Sequence, residues 1–104
     1  MTTLPVRGAS TPSAIIALPG TFCAPSIYDR IRPLLGDRFA MRALSWMTDA
    51  PSWGLDDVAG WVADRITEAG PEPILLVGHS TGGAIALQIA VTRPELLRGV
   101  MLVN

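Results

Sequence analysis

Short apolar runs alternate with stretches of helical spacing along the chain. The runs are typical of strands buried on both faces of a parallel sheet, and they lie at 14–18, 39–44, 74–77 and 100–103. Apolar residues at helical spacing predict helices over about 26–35, from 55 to the Gly70-Pro71 stop, and over 81–91. The order β-α-β-α-β-α-β predicts an α/β fold: a three-layer arrangement of about four parallel strands, flanked by helices.

Breaker residues limit these elements. Pro33 predicts an irregularity in the first helix, whose apolar residues are Ile27, Ile31, Leu34 and Leu35. Gly99 is predicted to turn the chain into the last strand. The stretch 45–54 is predicted to be a loop. Its Trp46, Met47 and Trp53 fit an apolar acyl pocket, core packing or a contact with a half of the fold that is missing from this chain equally well.

The join between the third strand and the third helix carries the main candidate chemistry. Gly78-His79-Ser80-Thr81-Gly82 fits G-x-S-x-G, the nucleophile elbow, in the strand-then-helix context that this motif requires. Side chains at Gly78 and Gly82 would collide where strand and helix press together, and Ser80 must adopt a strained backbone. The free N–H groups at the start of the helix favour a developing negative charge. A plain turn is the alternative reading, whereas a phosphate-binding loop fails because no Lys follows Gly83.

With this elbow the sequence resembles the α/β-hydrolase family. The strand at 14–18 ends in Pro19-Gly20-Thr21-Phe22, where the family often has His-Gly. The resemblance implies that the N–H of Thr21, or else of Phe22, is one donor of an oxyanion hole. It implies that the N–H of Thr81, directly after the nucleophile Ser80, is the other.

The same resemblance implies a strand order. The 39–44 strand is expected outside the 14–18 strand, with the elbow strand and then the last strand on its other side. The winding then reverses between the strands that carry Gly20 and Ser80, and ligand crevices form at such switch points.

The resemblance covers 14–104 and only the first half of the family's domain; 1–13 is expected to be a loose leader or one short strand. In the family the triad acid and then the His follow the Ser along the chain. His79 is the one histidine here, and it lies inside the elbow, so we expect it to pack beside the bend rather than act as the base. The carboxylates fall in regions predicted to be surface helix or loop. The acid and base of the triad are therefore expected to be missing from this chain.

Composition points the same way. Charged residues make up 16% of the chain, against about 25% in a typical domain. The last strand would present an unpaired apolar edge unless a C-terminal half or a partner chain covers it.

Other function classes lack support. A net charge of −1 gives no electrostatic case for nucleic acid or an anionic membrane, and no apolar run is long enough to span a bilayer. No secretory signal is recognised, so the cytoplasm is the default location. One His and Cys23, the one Cys, cannot build a metal site, and Cys23 is expected to be an ordinary thiol. No cofactor is implied.

These observations lead to an expected function. The resemblance implies a serine hydrolase that acts on a small-molecule ester or acyl substrate through Ser80, but the same constellation serves esterases, lipases, thioesterases, C–C hydrolases and perhydrolases. The chain alone is expected to be inactive. The alternative is a catalytically inactive truncated fragment, or one half of a two-chain assembly.

Overall fold

The computed structural model describes residues 13–103. The predicted leader or short strand at 1–13 therefore lies outside the described residues, apart from Ser13, which begins the first strand.

One parallel sheet forms the centre of the fold. Its strands, in chain order, are β1 (Ser13–Leu18), β2 (Phe39–Ala43), β3 (Ile74–His79) and β4 (Leu97–Val103). Across the sheet the order is β2-β1-β3-β4, with every pairing parallel. The predicted α/β class and strand order are confirmed, and the winding reverses between β1 and β3.

The last strand is longer than predicted. Gly99 does not turn the chain before β4 but lies within it, opposite Leu75, while Leu97 lies opposite Ile74. Arg98 is thus an extra residue at a β-bulge. The irregularity next to Gly99 is therefore a bulge within the strand and not a turn before it. Beyond the bulge the register places Val103 opposite His79, and the Ser80 N–H donates to the Val103 carbonyl oxygen at 3.0 Å.

Helices cover one face of the sheet. They are α1 (Trp46–Asp49), α2 (Leu55–Glu68) and α3 (Thr81–Thr92). The two long helices match the prediction, and α1 replaces part of the predicted 45–54 loop. Their apolar sides pack on the sheet around Leu18, Leu76, Val62 and Ile89, all fully buried. This core holds α3 against the sheet, with its first residue directly after the bend that ends β3.

The opposite face is covered by two 3₁₀ segments, Pro25–Tyr28 and Arg32–Arg38, so the predicted helix over 26–35 is wrong. Pro33 removes a backbone donor, and Gly36 has a φ of 68°, outside the helical region. The apolar spacing consequently does not make one buried face: Ile27, Ile31 and Leu34 are exposed. Tyr28 is the buried anchor of this layer instead, packed with residues of β1 and β3.

Candidate active site

Ser80 lies at the bend between β3 and α3. Its φ of 53° and ψ of −115° place a non-glycine residue in a strained region of backbone space. Its side chain is exposed, although the residues on both sides of the bend are packed. The bend is held by its own backbone, since the Ser80 carbonyl accepts the Gly83 N–H at 2.8 Å. A hydroxyl is thus presented to solvent by a fixed, strained turn.

The two elbow glycines are required by close backbone approach. A Cβ on Gly78 would lie 2.6 Å from the Gly82 carbonyl carbon and 2.7 Å from the Gly83 Cα. A Cβ on Gly82 would lie 2.8 Å from the Pro19 carbonyl oxygen, and it would also collide with the carbonyl of Leu18. Gly78 therefore lets β3 and α3 meet, and Gly82 lets α3 meet the end of β1.

The turn after β1 lies beside the serine. A Cβ on Gly20 would be 3.2 Å from the Ser80 Cβ and 3.0 Å from the His79 Nδ1. The chain then makes a four-residue turn, closed by the Cys23 N–H, which donates to the Gly20 carbonyl at 3.0 Å. The structure thus brings together the two motifs that the sequence places about sixty residues apart.

Thr21 and Phe22 form the middle of this turn, and their N–H groups differ. Phe22 has a φ of 61° and donates its N–H to the Met47 Sδ at 3.0 Å. The Thr21 N–H makes no hydrogen bond within residues 13–103. Thr81 is the first residue of α3, so its N–H has no acceptor inside the helix. The Thr21 and Thr81 hydroxyl oxygens are 2.6 Å apart, so these two residues are neighbours.

Two buried side chains hold the end of β1, and the residue pattern of the chain predicted this role for neither of them. The Tyr28 hydroxyl donates to the Leu18 carbonyl, and the Trp46 indole N–H donates to the Pro19 carbonyl, each at 2.8 Å. Trp46 is 3% exposed and belongs to the core. The available signal was general: a buried Tyr or Trp needs an acceptor, and a strand end offers free carbonyls.

The other two apolar residues of the predicted loop, Met47 and Trp53, have different surroundings from Trp46. Trp53 is 61% exposed and donates its indole N–H to the Met47 carbonyl at 2.8 Å, while Met47 packs partly against the core. The fold does not form a pocket lined by Trp46, Met47 and Trp53 together, because the Trp46 side chain is buried in the core.

His79 packs under the turn. Its Nδ1 is buried and has no hydrogen-bond partner within the described residues, and it lies against the Gly20 backbone. This placement gives the imidazole a packing role at the join of the two motifs. Within residues 13–103 no cluster of three or more His, Cys, Asp or Glu is arranged to hold a metal ion.

A separate groove of ≈ 730 Å³ runs along α2 and α3. Asp56, Trp61, Gln88 and Arg93 are among its lining residues, and the Gln88 amide donates to Asp56 at 3.0 Å across it. Neither Ser80 nor the turn after β1 lines this groove. It is the seam between two helices, on a different part of the surface from the serine.

Comparisons with known proteins agree with the fold. The profile of the Alpha/beta hydrolase family matches residues 15–104. Over 73 residues the chain is 33% identical to a pimeloyl-[acyl-carrier protein] methyl ester esterase of Yersinia pseudotuberculosis, a match that covers 65% of this chain and 28% of the esterase.

Solved structures share the fold. The Cfl2 protein of Burkholderia cenocepacia superposes with a TM-score of 0.77 at 27% identity, covering 91% of this chain and 34% of Cfl2. The thioesterase domain from the curacin biosynthetic pathway superposes with a TM-score of 0.70 at 22% identity, covering 84% of this chain and 34% of that domain, and shows likeness of fold alone. The chain spans about a third or less of the length of each of these relatives. Family profile, strand order and neighbours together place this chain in the α/β-hydrolase family.

Proposed function

We propose that this chain carries the nucleophile and the oxyanion hole of a serine hydrolase that acts on a small-molecule ester or acyl substrate. The observation that carries the proposal is the exposed, strained Ser80 beside the glycine turn that follows β1. A relative named as a methyl ester esterase supports acyl chemistry. The described helices include none that is both long and apolar enough to cross a membrane. A cytoplasmic location remains a prediction.

The chemistry follows from the placement of the groups. The Ser80 Oγ attacks the substrate carbonyl carbon as its proton passes to a base, and the carbonyl π electrons move onto oxygen. The N–H groups of Thr21 and Thr81 donate to that oxyanion. Its collapse expels the alcohol or thiol, which takes up the proton, and leaves an acyl-enzyme that water hydrolyses. Thr21 is favoured over Phe22 because the Phe22 N–H is directed to Met47.

The base and its acid come from outside this chain. His79 is the one histidine of the sequence, and its Nδ1 is buried against Gly20 rather than directed to a hydroxyl. A C-terminal half, or a partner chain, is proposed to supply both groups. Residues 14–104 are accordingly the N-terminal portion of an α/β-hydrolase domain.

The second candidate is an inactive fragment, or one half of a two-chain assembly. The open edge of the sheet favours it: Met101, Leu102 and Val103 of β4 are 53%, 50% and 40% exposed. Within residues 13–103 no strand pairs with the outer side of β4.

Labelling with a fluorophosphonate probe tests the proposal. The chain is treated alone and with increasing imidazole as an external base, and adducts are located by peptide mass spectrometry. We expect little labelling without imidazole, and labelling of Ser80 that rises with imidazole and is lost in Ser80→Ala. The matched control Ser26→Ala, an exposed serine away from the bend, should label as the parent chain does.

Each other outcome has a definite meaning. Stoichiometric labelling of Ser80 without imidazole would overturn the claim that activation comes from elsewhere. Absence of labelling at every imidazole concentration would favour the inactive fragment.

A further inference from the structure

The hydroxyl groups of Thr21 and Thr81 form a direct side-chain bond across the candidate oxyanion site. Their oxygens are 2.6 Å apart, within the usual range for an O–H···O bond, and either group can be the donor. The two residues are 60 positions apart in the chain. They are also the residues whose backbone N–H groups are the proposed oxyanion donors.

This bond lies at a junction that close contacts of Gly20 and Gly82 also hold together. Deeper in, Gly82 packs on the carbonyls of Leu18 and Pro19, and Gly20 packs beside Ser80. Those contacts set how closely the turn approaches the helix. The Gly20–Cys23 bond lies within the turn, whereas the Thr21–Thr81 hydroxyl bond connects the turn to α3.

Threonine hydroxyls commonly bond to backbone within their own helix or turn. Thr67, Thr48 and Thr92 do so in this chain, donating to the carbonyls of Ala63, Ser45 and Gln88. Thr21 and Thr81 instead bond to each other, and Thr21 is exposed to solvent that could have satisfied it. The pairing is therefore a tertiary link between the turn after β1 and the start of α3.

We propose that the Thr21–Thr81 hydroxyl pair is a positioning couple that fixes the spacing of the two oxyanion amides. This inference rests on the proposed function and extends it from the backbone of these residues to their side chains. Stabilisation of an oxyanion depends on donors held in place before the charge develops. A hydroxyl bond between Thr21 and Thr81 holds the two donor residues in a fixed relative position before the charge develops.

The couple is tested by a double-mutant cycle of Thr21→Val, Thr81→Val and the double variant, since valine keeps the branched shape and removes the hydroxyl. The rate constant and the half-saturating probe concentration for phosphonylation of Ser80 are measured in imidazole. We expect each single variant to lower the rate constant by about five- to tenfold, with little change in half-saturation. The double variant should be no slower than the singles, and Thr21→Ser and Thr81→Ser should restore the rate.

A second measurement is independent of labelling. In ¹H–¹⁵N spectra of the chain, Thr21→Val should shift the Thr81 amide signal, and Thr81→Val should shift that of Thr21. Thr92→Val is the matched control, because it makes the same change at the far end of α3 and should move neither signal nor the labelling rate.

The outcomes separate the two proposals. Additive losses in the double variant, or cross-site amide signals that stay in place, overturn the couple even when the parent chain labels well. Failure of the parent chain to label overturns the proposed function instead, and the amide signals then decide alone whether the hydroxyl pair positions the two residues.

Discussion

The Trp46 indole N–H donates to the Pro19 carbonyl oxygen at 2.8 Å, inside the core. The bond links the segment after β2 to the segment after β1, one peptide before the Gly20 turn. Trp46, which the sequence pattern placed in a predicted loop, thereby supports the candidate oxyanion site.

Replacing Trp46 with Phe should destabilise the protein by about 1–3 kcal/mol, because a buried carbonyl loses its donor. Urea unfolding measures the change, and the Thr21 amide signal should shift with it. Trp53→Phe is the control: it removes an indole N–H bond to Met47, but at a 61% exposed residue where water can replace the donor. An equal loss of stability in both variants would contradict the special role of Trp46.

Adjacent glycines of α3 should respond oppositely to alanine. Gly82→Ala should be destabilising by several kcal/mol, since its Cβ meets backbone of β1 that cannot give way. Gly83→Ala should be neutral or stabilising by up to about 1 kcal/mol, because its Cβ has ordinary contacts at 3.5 Å and alanine favours a helix. Thermal or urea unfolding of both variants decides the matter, and a tolerated Gly82→Ala would show that α3 does not press on β1 as described.

High pH should weaken the fold through Tyr28. Burial, and then the charge of nearby Cys23, raises the pKa of Tyr28 above its ordinary value of 10.0. The unfolded phenol thus ionises at lower pH than the folded one, so the stability present below pH 10.0 falls as the pH rises beyond it. The neutral hydroxyl also donates to the Leu18 carbonyl, which phenolate cannot do.

The comparison that checks this is urea unfolding of the parent chain and Tyr28→Phe, at neutral pH and above the ordinary tyrosine pKa. The variant should be less stable at neutral pH, by about 1–3 kcal/mol, and the gap should narrow at high pH. Since Tyr28 is the one tyrosine of the sequence, the absorbance of phenolate follows its ionisation directly. A gap that is constant with pH would contradict the raised pKa.

The open edge of β4 should drive self-association of the chain. Unpaired strand edges with apolar side chains are templates for pairing, and a lysine on such an edge opposes it. Met101→Lys should therefore lower the associated fraction in analytical ultracentrifugation at high protein concentration. Leu87→Lys, at a 49% exposed position of α3, introduces the same charge away from the edge and should have a smaller effect. Equal effects would indicate that the added charge, rather than its position at the strand edge, lowers the association.

The sequence by itself determined the class of fold, the strand order implied by resemblance, and the position of the strained bend. Apolar runs such as 74–77 predict buried strands from local sequence alone. Gly78 and Gly82 mark the bend specifically, because a Cβ at either position would collide with backbone atoms. The helix predicted over 26–35 failed because Pro33 and Gly36 outweighed apolar spacing, which cannot report whether a face is buried.

Only the tertiary structure decided which side chains support the site. The bonds from Tyr28 to Leu18, from Trp46 to Pro19 and between Thr21 and Thr81 join residues from separate elements of the chain. The type of a residue indicates that a donor needs an acceptor, but not which carbonyl or hydroxyl the fold will bring to it. Partner choice is a property of packing, because hydrogen bonds form over about 3 Å while the sequence separates these groups by 10 to 60 residues.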